Sequence, residues 1–402
     1  MATAVFPGNA ILEAKQTNES ESALAGQIRD QSLRKTFEKY AREYDNLRPV
    51  EGRCPSDYKL VQIALLLDTS NSMDGLISQA KSQLWRIVNE VSRMRKRGEP
   101  IRLQVALYEY GNNSLSPGSG FIRQVVPFTE DLDLLSETLF SLSTNGGSEY
   151  CGHVIGSSLN QLKWNTFRDG LKLIYIAGNE PFDQGEVSFE AACRWAVERD
   201  IVVNTIFCGD YYAGVQGLWK KGAAVGRGSY FSIDSDERTP GIVTPYDHDL
   251  MKLNEKINDT YVPYGEKGKE RQARQSMQDR NAAAMSAPVA AERAATKGSS
   301  LYKASGWDLV DATENKTVTL EGLNREGLPD ELRGKSDKEI GSYLQRKKEE
   351  RKSLKAQIST LSQKRDAYVQ AKERENADSK SLGSVILDDL HTQASRKNFR
   401  FR

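Results

Sequence analysis

Between Val61 and Leu67 six of seven residues are apolar, and at Asp68 the polarity switches at once to DTSNSMDG. Neither face of such a segment can be left in water, so the run is a strand buried inside a sheet that is covered on both sides. Asp68, Ser70 and Ser72 alternate in sequence, and on a tight loop at the carboxyl end of that strand their side chains can converge on one point. One carboxylate and two hydroxyls make a hard oxygen set of the kind that suits Mg²⁺. A Ser/Asn/Asp turn capping a helix that begins near Gly75 uses the same residues, and spacing alone does not choose between the two.

After this strand the pattern alternates. An amphipathic helix over Leu76 to Arg95 carries Leu76, Ile77, Ala80, Leu84, Ile87, Val88 and Val91 on one stripe. Strands follow at Ile101 to Gly111 and Phe121 to Thr129, joined as a hairpin across GNNSLSPGSG. Helices are expected at Asp131 to Leu142 and Glu149 to Leu162, with STNGGSEYCG between them, where paired glycines let the loop approach Asp68. Strands at Leu171 to Ala177, Ile201 to Cys208 and Ser229 to Ile233 alternate with helices at Ser188 to Arg199 and His248 to Tyr261. This order calls for an α/β fold: a doubly wound, mostly parallel sheet flanked by helices, Rossmann-like, with one antiparallel hairpin strand. Ligands of such sheets sit beyond the carboxyl ends of the strands, here the loops after Asp68, Ala177 and Cys208.

Composition shifts on either side. Residues 1–55 are polar and of mixed charge, with one helical stretch around Gln27 to Asp45, and read as an amino-terminal arm; 56–265 hold the α/β domain, and 266–402 a helical carboxyl-terminal extension. In that extension we expect one helix over Lys269 to Ala295, an apolar knot at Ser305 to Ala312, a helix start at Leu328 to Asp330 and a short helix over Leu382 to Leu390 before the basic RKNFRFR tail. A long helix over Asp337 to Asn376 places Ile340, Leu344, Leu354, Ile358, Leu361 and Tyr368 on a seam interrupted by Lys347, Arg351 and Arg365. Such a seam suits a helical hairpin or an oligomer or partner contact better than a long coiled coil, and its charges are expected on a solvated face.

A net charge of +1 over 402 residues gives no global attraction to nucleic acid or anionic membrane. No apolar window is long enough to span a bilayer, and the first residues lack the charge and apolar centre of a signal peptide. The chain reads as cytoplasmic by default, or as periplasmic or extracellular if a leader was removed. Cys54, Cys151, Cys193 and Cys208 lack CxxC spacing and read as buried thiols rather than a disulfide. His153, His248 and His391 stand in no HExxH or triad-like setting, and no phosphate loop is present, so no catalytic group is assigned. Trp85, Trp164, Trp195, Tyr108 and Tyr110 read as core.

DTSNS at the end of the first buried strand and NGGS at Asn145 to Ser148 before a later helix resemble the von Willebrand factor A domain and its metal-ion-dependent adhesion site. LLLDTSNSMDGLI, ALYEYGN, YIAGNEPF and VVNTIFCG are similar to a bacterial group of such domains with a helical carboxyl-terminal extension. The resemblance implies that Ser70, Ser72 and Asp68 hold Mg²⁺, with Ca²⁺ or Mn²⁺ as alternatives, and that Ser148 supplies a further hydroxyl. The family's second acid falls at Gly178; Glu180 is taken as the ligand in its place, with Glu149 as another candidate, and without either the site holds one carboxylate. The implied function is a non-enzymatic protein–protein interaction module that binds an acidic side chain of a partner. The alternative is a structural or assembly subunit with a degenerate metal site.

Overall fold

The structure, a computed structural model, describes residues 59–234, 241–375 and 382–401. The expected helix around Gln27 to Asp45 and Cys54 lie outside the described residues. Six strands form the main sheet: β1 (Leu60–Asp68), β2 (Arg102–Tyr110), β3 (Ile122–Thr129), β4 (Leu171–Gly178), β5 (Val202–Cys208) and β6 (Arg227–Ile233). They lie in the order β3-β2-β1-β4-β5-β6, with only the β2–β3 pair antiparallel. The order reverses between β1 and β4, and such a switch point opens a crevice at the carboxyl rim.

The apolar run at Val61 is buried because both faces of the sheet are covered. Val61, Ile63 and Leu67 pack into one core with α1 (Asp74–Ser92) and α2 (Leu132–Ser141). Ala64 and Leu66 face the other, against α3 (Cys151–Gln161) and α4 (Phe189–Glu198). Each fully buried aliphatic side chain here contributes roughly 1.5–3 kcal/mol. Gln62, the one polar residue of the run, is buried but satisfied: its amide donates to Gln104 Oε1 at 2.9 Å, and its oxygen accepts from Asn165 N at 2.7 Å. The five aromatic residues expected in the core are buried, as are the free thiols of Cys151, Cys193 and Cys208.

Two short helices that the sequence reading did not anticipate, α5 (Tyr211–Gln216) and α6 (Trp219–Val225), follow β5. Then come α7 (Asp247–Asn258), α8 (Gly268–Met285), α9 (Ala287–Gly298), α10 (Leu309–Glu314), α11 (Asp337–Glu375) and α12 (Leu382–Arg396). The single helix expected over Lys269 to Ala295 is two. Ser286 is extended (φ −174°, ψ 162°), its hydroxyl accepts from Val289 N, and Pro288 sits in the first turn of α9, where a missing N–H costs nothing.

The seam of α11 is buried against this chain's own helices. Leu354 and Ile358 pack with α7 and α9, while Ile340 and Leu344 pack with α10. Arg351 and Arg365, expected in solvent, are each 4% exposed because acids receive them: buried Asp308 and half-buried Asp311 for the first, buried Asp247 and half-buried Glu292 for the second.

α12 is longer than expected and returns to the α/β core. Leu382, Val385, Ile386, Leu390 and Ala394 join the cluster that contains α1 and β1. Asp389 accepts from Tyr175 Oη on β4 at 2.8 Å and from Ser229 Oγ on β6 at 2.7 Å. The chain then pairs Phe399–Phe401 antiparallel with Met94–Lys96. The basic tail is thus partly a strand of a small second sheet.

A candidate metal centre at the carboxyl rim

β1 ends in a turn that brings its polar side chains together. Ser70 N donates to Asp68 Oδ1 at 2.7 Å, Thr69 N to Tyr110 O at 2.9 Å, and Met73 N to Ser70 O at 3.0 Å. Neither Ser70, before the short helical turn Asn71–Met73, nor Met73, before α1, makes a side-chain cap. The hydroxyls are therefore not spent on capping. Ser70 Oγ and Ser72 Oγ lie 3.4 Å apart.

The Asn145–Glu149 segment is clamped onto this turn. Asn71 N donates to Gly146 O at 2.9 Å, Gly146 N returns a bond to Asn71 Oδ1 at 3.0 Å, and Asn145 N donates to Thr69 O at 2.9 Å. Gly146 has φ +73°, and a Cβ there would lie 2.1 Å from Asn113 Cγ, so only glycine allows the approach. The clamp delivers Glu149, 3% exposed, to Asp68, 0% exposed.

The two carboxyl groups face each other, with the Ser70 hydroxyl near both and the Glu180 backbone N–H near Glu149. Burial, then the facing Glu149, push the Asp68 carboxyl well above the usual carboxylate range. Burial also raises Glu149, against the bonds from Asp68 and Ser70 that lower it. Asp68 Oδ2, Glu149 Oε2 and Asn179 Oδ1 are buried with no hydrogen-bond partner among the described residues. Two like charges in a dry cleft call for either a shared proton or a cation between them.

Two glycines hold the space. A Cβ at Gly111 (φ +77°) would lie 2.7 Å from Asp68 Oδ1 and 2.8 Å from Glu149 Cγ. One at Gly178 would lie 2.5 Å from Tyr110 Oη and 3.1 Å from Asp68 Oδ2. The Tyr110 hydroxyl, held on Ala177 O at 3.0 Å, thus occupies the place into which an aspartate at 178 would have to grow.

The other sequence candidates fall at different depths. Ser72 is exposed and accepts from Asn179 Nδ2 at 3.1 Å. Ser148 is half-buried beside Glu149, and no hydrogen bond ties its hydroxyl to the Asp68 turn among the described residues. The Glu180 side chain is exposed, accepting from Gln184 Nε2 at 3.1 Å, while its backbone N–H lies near Glu149. Asn179 was missed; its only signal was its place beside Gly178 at the end of a buried strand. No group of three or more His, Cys, Asp or Glu able to hold a metal occurs among the described residues. His153 packs on Gly120, and His391 lies 2.9 Å from Glu90.

The strand order, the antiparallel edge strand and the place of the DTSNS turn are those that the resemblance to the von Willebrand factor A fold implies. No family model matches the sequence, and no curated protein matches it. Among solved structures the chain is similar to BatB from Bacteroides thetaiotaomicron at 18% identity, covering 43% of this chain and 90% of that one, with a TM-score of 0.32. It is similar to the SpRpn10 VWA domain at 14% identity, covering 43% and 88%, with a TM-score of 0.33. A third is the mussel byssus proximal thread matrix protein 1 with a zinc-occupied MIDAS motif, at 12% identity and a TM-score of 0.34, covering 45% of this chain and 44% of that one.

Proposed function

We propose that the rim is a divalent-cation site through which a protein partner's acidic side chain is bound, and that the chain is a non-enzymatic protein–protein interaction module. The observation that carries this reading is the buried Asp68–Glu149 pair, each with an oxygen that no donor meets. Asp68, Ser70, Ser72 and Glu149 would hold the ion, with Ser148 and Asn179 beside them and Glu180 at the outer edge. Glu149 takes the part of the family's second acid, because Tyr110 fills the space at Gly178. An all-oxygen set with two carboxylates suits Mg²⁺, with Mn²⁺ or Ca²⁺ as competitors. The ion would supply the positive charge that the cleft lacks and a coordination position for the partner's carboxylate. Ser72, exposed at the mouth, is where that partner would enter.

Thermal unfolding with Mg²⁺ against chelator tests this. An ion bound only by the folded chain stabilises it by about 2.7 kcal/mol at a hundredfold excess over its dissociation constant. The wild type and Glu180→Gln should gain Tm with Mg²⁺, while Glu149→Gln and Ser70→Ala/Ser72→Ala should not. A wild-type Tm indifferent to Mg²⁺, Mn²⁺ and Ca²⁺ would remove the ion from the account.

A further inference from the structure

Two tyrosines stand in water on the same rim. Tyr212 is 72% exposed and Tyr211 40%. Their backbones are tied down, and the Tyr211 ring is held as well. Asp210 Oδ1 accepts from Tyr212 N at 2.9 Å and Ala213 N at 3.0 Å, Tyr230 Oη donates to Tyr211 O at 2.8 Å, and Lys220 Nζ donates to Tyr211 Oη at 3.0 Å. The two rings meet edge to face at 5.4 Å, and Tyr211 leans on Tyr230 at 5.2 Å. Exposed aromatic rings fixed in advance lose little freedom on contact, which is why tyrosine works well in binding surfaces.

This shelf is built on the loops that build the carboxylate cleft. The Trp219 indole N–H donates to Glu180 O at 2.7 Å, and Phe182 N to Gly217 O at 2.8 Å, while the Glu180 backbone N–H lies near Glu149. Lys220, exposed at its edge, forms no ion pair with a carboxylate among the described residues. Its charge is complementary to an acidic visitor and opposite to that of the cleft beside it.

We propose that Tyr211, Tyr212 and Lys220 form a shelf for an acidic protein segment, whose aromatic or aliphatic side chain packs on the rings while a carboxylate nearby meets Lys220. The segment's other carboxylate reaches the cleft; that part rests on the cation-site reading above.

The test is to pan the full chain in Mg²⁺ with a displayed library of random dodecapeptides, counter-selecting on Tyr211→Ser/Tyr212→Ser, and to measure enriched peptides by fluorescence anisotropy. Enriched peptides should combine Asp or Glu with an aromatic or aliphatic residue. Tyr212→Ser should weaken them by about tenfold or more and Lys220→Glu by a few fold, with the Tm of each variant unchanged. Equal binding to the serine variants, or no enrichment over the double variant, overturns the shelf. Binding that survives chelator but needs Tyr212 upholds the shelf and removes the ion. Binding that needs Mg²⁺ but not Tyr212 does the reverse. Dimerisation that vanishes in Tyr212→Ser would make the occupant a second copy and overturn the proposal.

Discussion

Two parts of this molecule bury charge, and they do it in opposite ways. Between α7 and α11 each buried acid meets a cation. Arg351 Nη1 lies 2.6 Å from both Asp308 and Asp311, Arg365 bridges Asp247 and Glu292, and Asp279 receives Arg293 at 2.9 Å and Lys297 at 2.6 Å. At the rim, Asp68 and Glu149 face each other among hydroxyl and backbone N–H groups, with no cationic side chain among their described partners. The first arrangement is electrostatically closed and serves to fix helices. The second has no cationic partner among the described residues, so it rests on a shared proton or on a positive charge from outside.

Removing a partner from the closed clusters should have the largest effect. Arg351→Met leaves Asp308 and Asp311 buried without their cation and should cost about 3–5 kcal/mol, read from the denaturation midpoint. A loss within a few tenths of a kcal/mol would show that the clusters are not closed in this sense.

Acid should probe the same region. Its cationic neighbours, Lys297 first, hold the buried Asp279 carboxyl down to about 2, below its ordinary 3.8. A depressed carboxyl stabilises the fold above its unfolded pKa, and that contribution disappears as pH falls through the folded value. Asp279 should therefore withdraw roughly 2 kcal/mol between pH ~4 and ~2. In Asp279→Asn, less stable throughout because Lys297 and Arg293 lose their acid, the stability-versus-pH curve should be flatter in that window.

The smallest effect should have the opposite sign. The rim carboxyls are raised rather than lowered, so without a cation their contribution is present at low pH and is lost as pH rises through their folded pKa values. In chelator at neutral pH, Glu149→Gln should raise Tm slightly and flatten its decline with pH. A fall in Tm would place Glu149 with the closed clusters and erase the contrast.

How much of this was legible depended on how local the cause was. The β1 run, the turn at Asp68 and the alternation through Cys208 are written in neighbouring residues, and the structure places strands and helices there. The sequence reading placed Glu180 among the ligands and kept Glu149 as another candidate, because where Tyr110 Oη sits and which loop Asn71 clamps are not written in neighbouring residues. The charges on the α11 seam suggested solvent, since their acids come from α7, α9, α10 and the residue before α10, remote in sequence. The break at Ser286 was visible in Ser-Ala-Pro, but was outweighed by the helix-favouring residues around it.

The sequence by itself determined the strands, their burial and the oxygen-bearing turn, because hydrophobic period and turn chemistry act over a few residues. Only the tertiary structure decided that α12 returns to the sheet, that Arg351 and Arg365 are neutralised inside the chain, and that Glu149 is pressed against Asp68. Those outcomes depend on which distant charges and surfaces meet, and Coulomb and packing energies are set by distance in space rather than by separation along the chain.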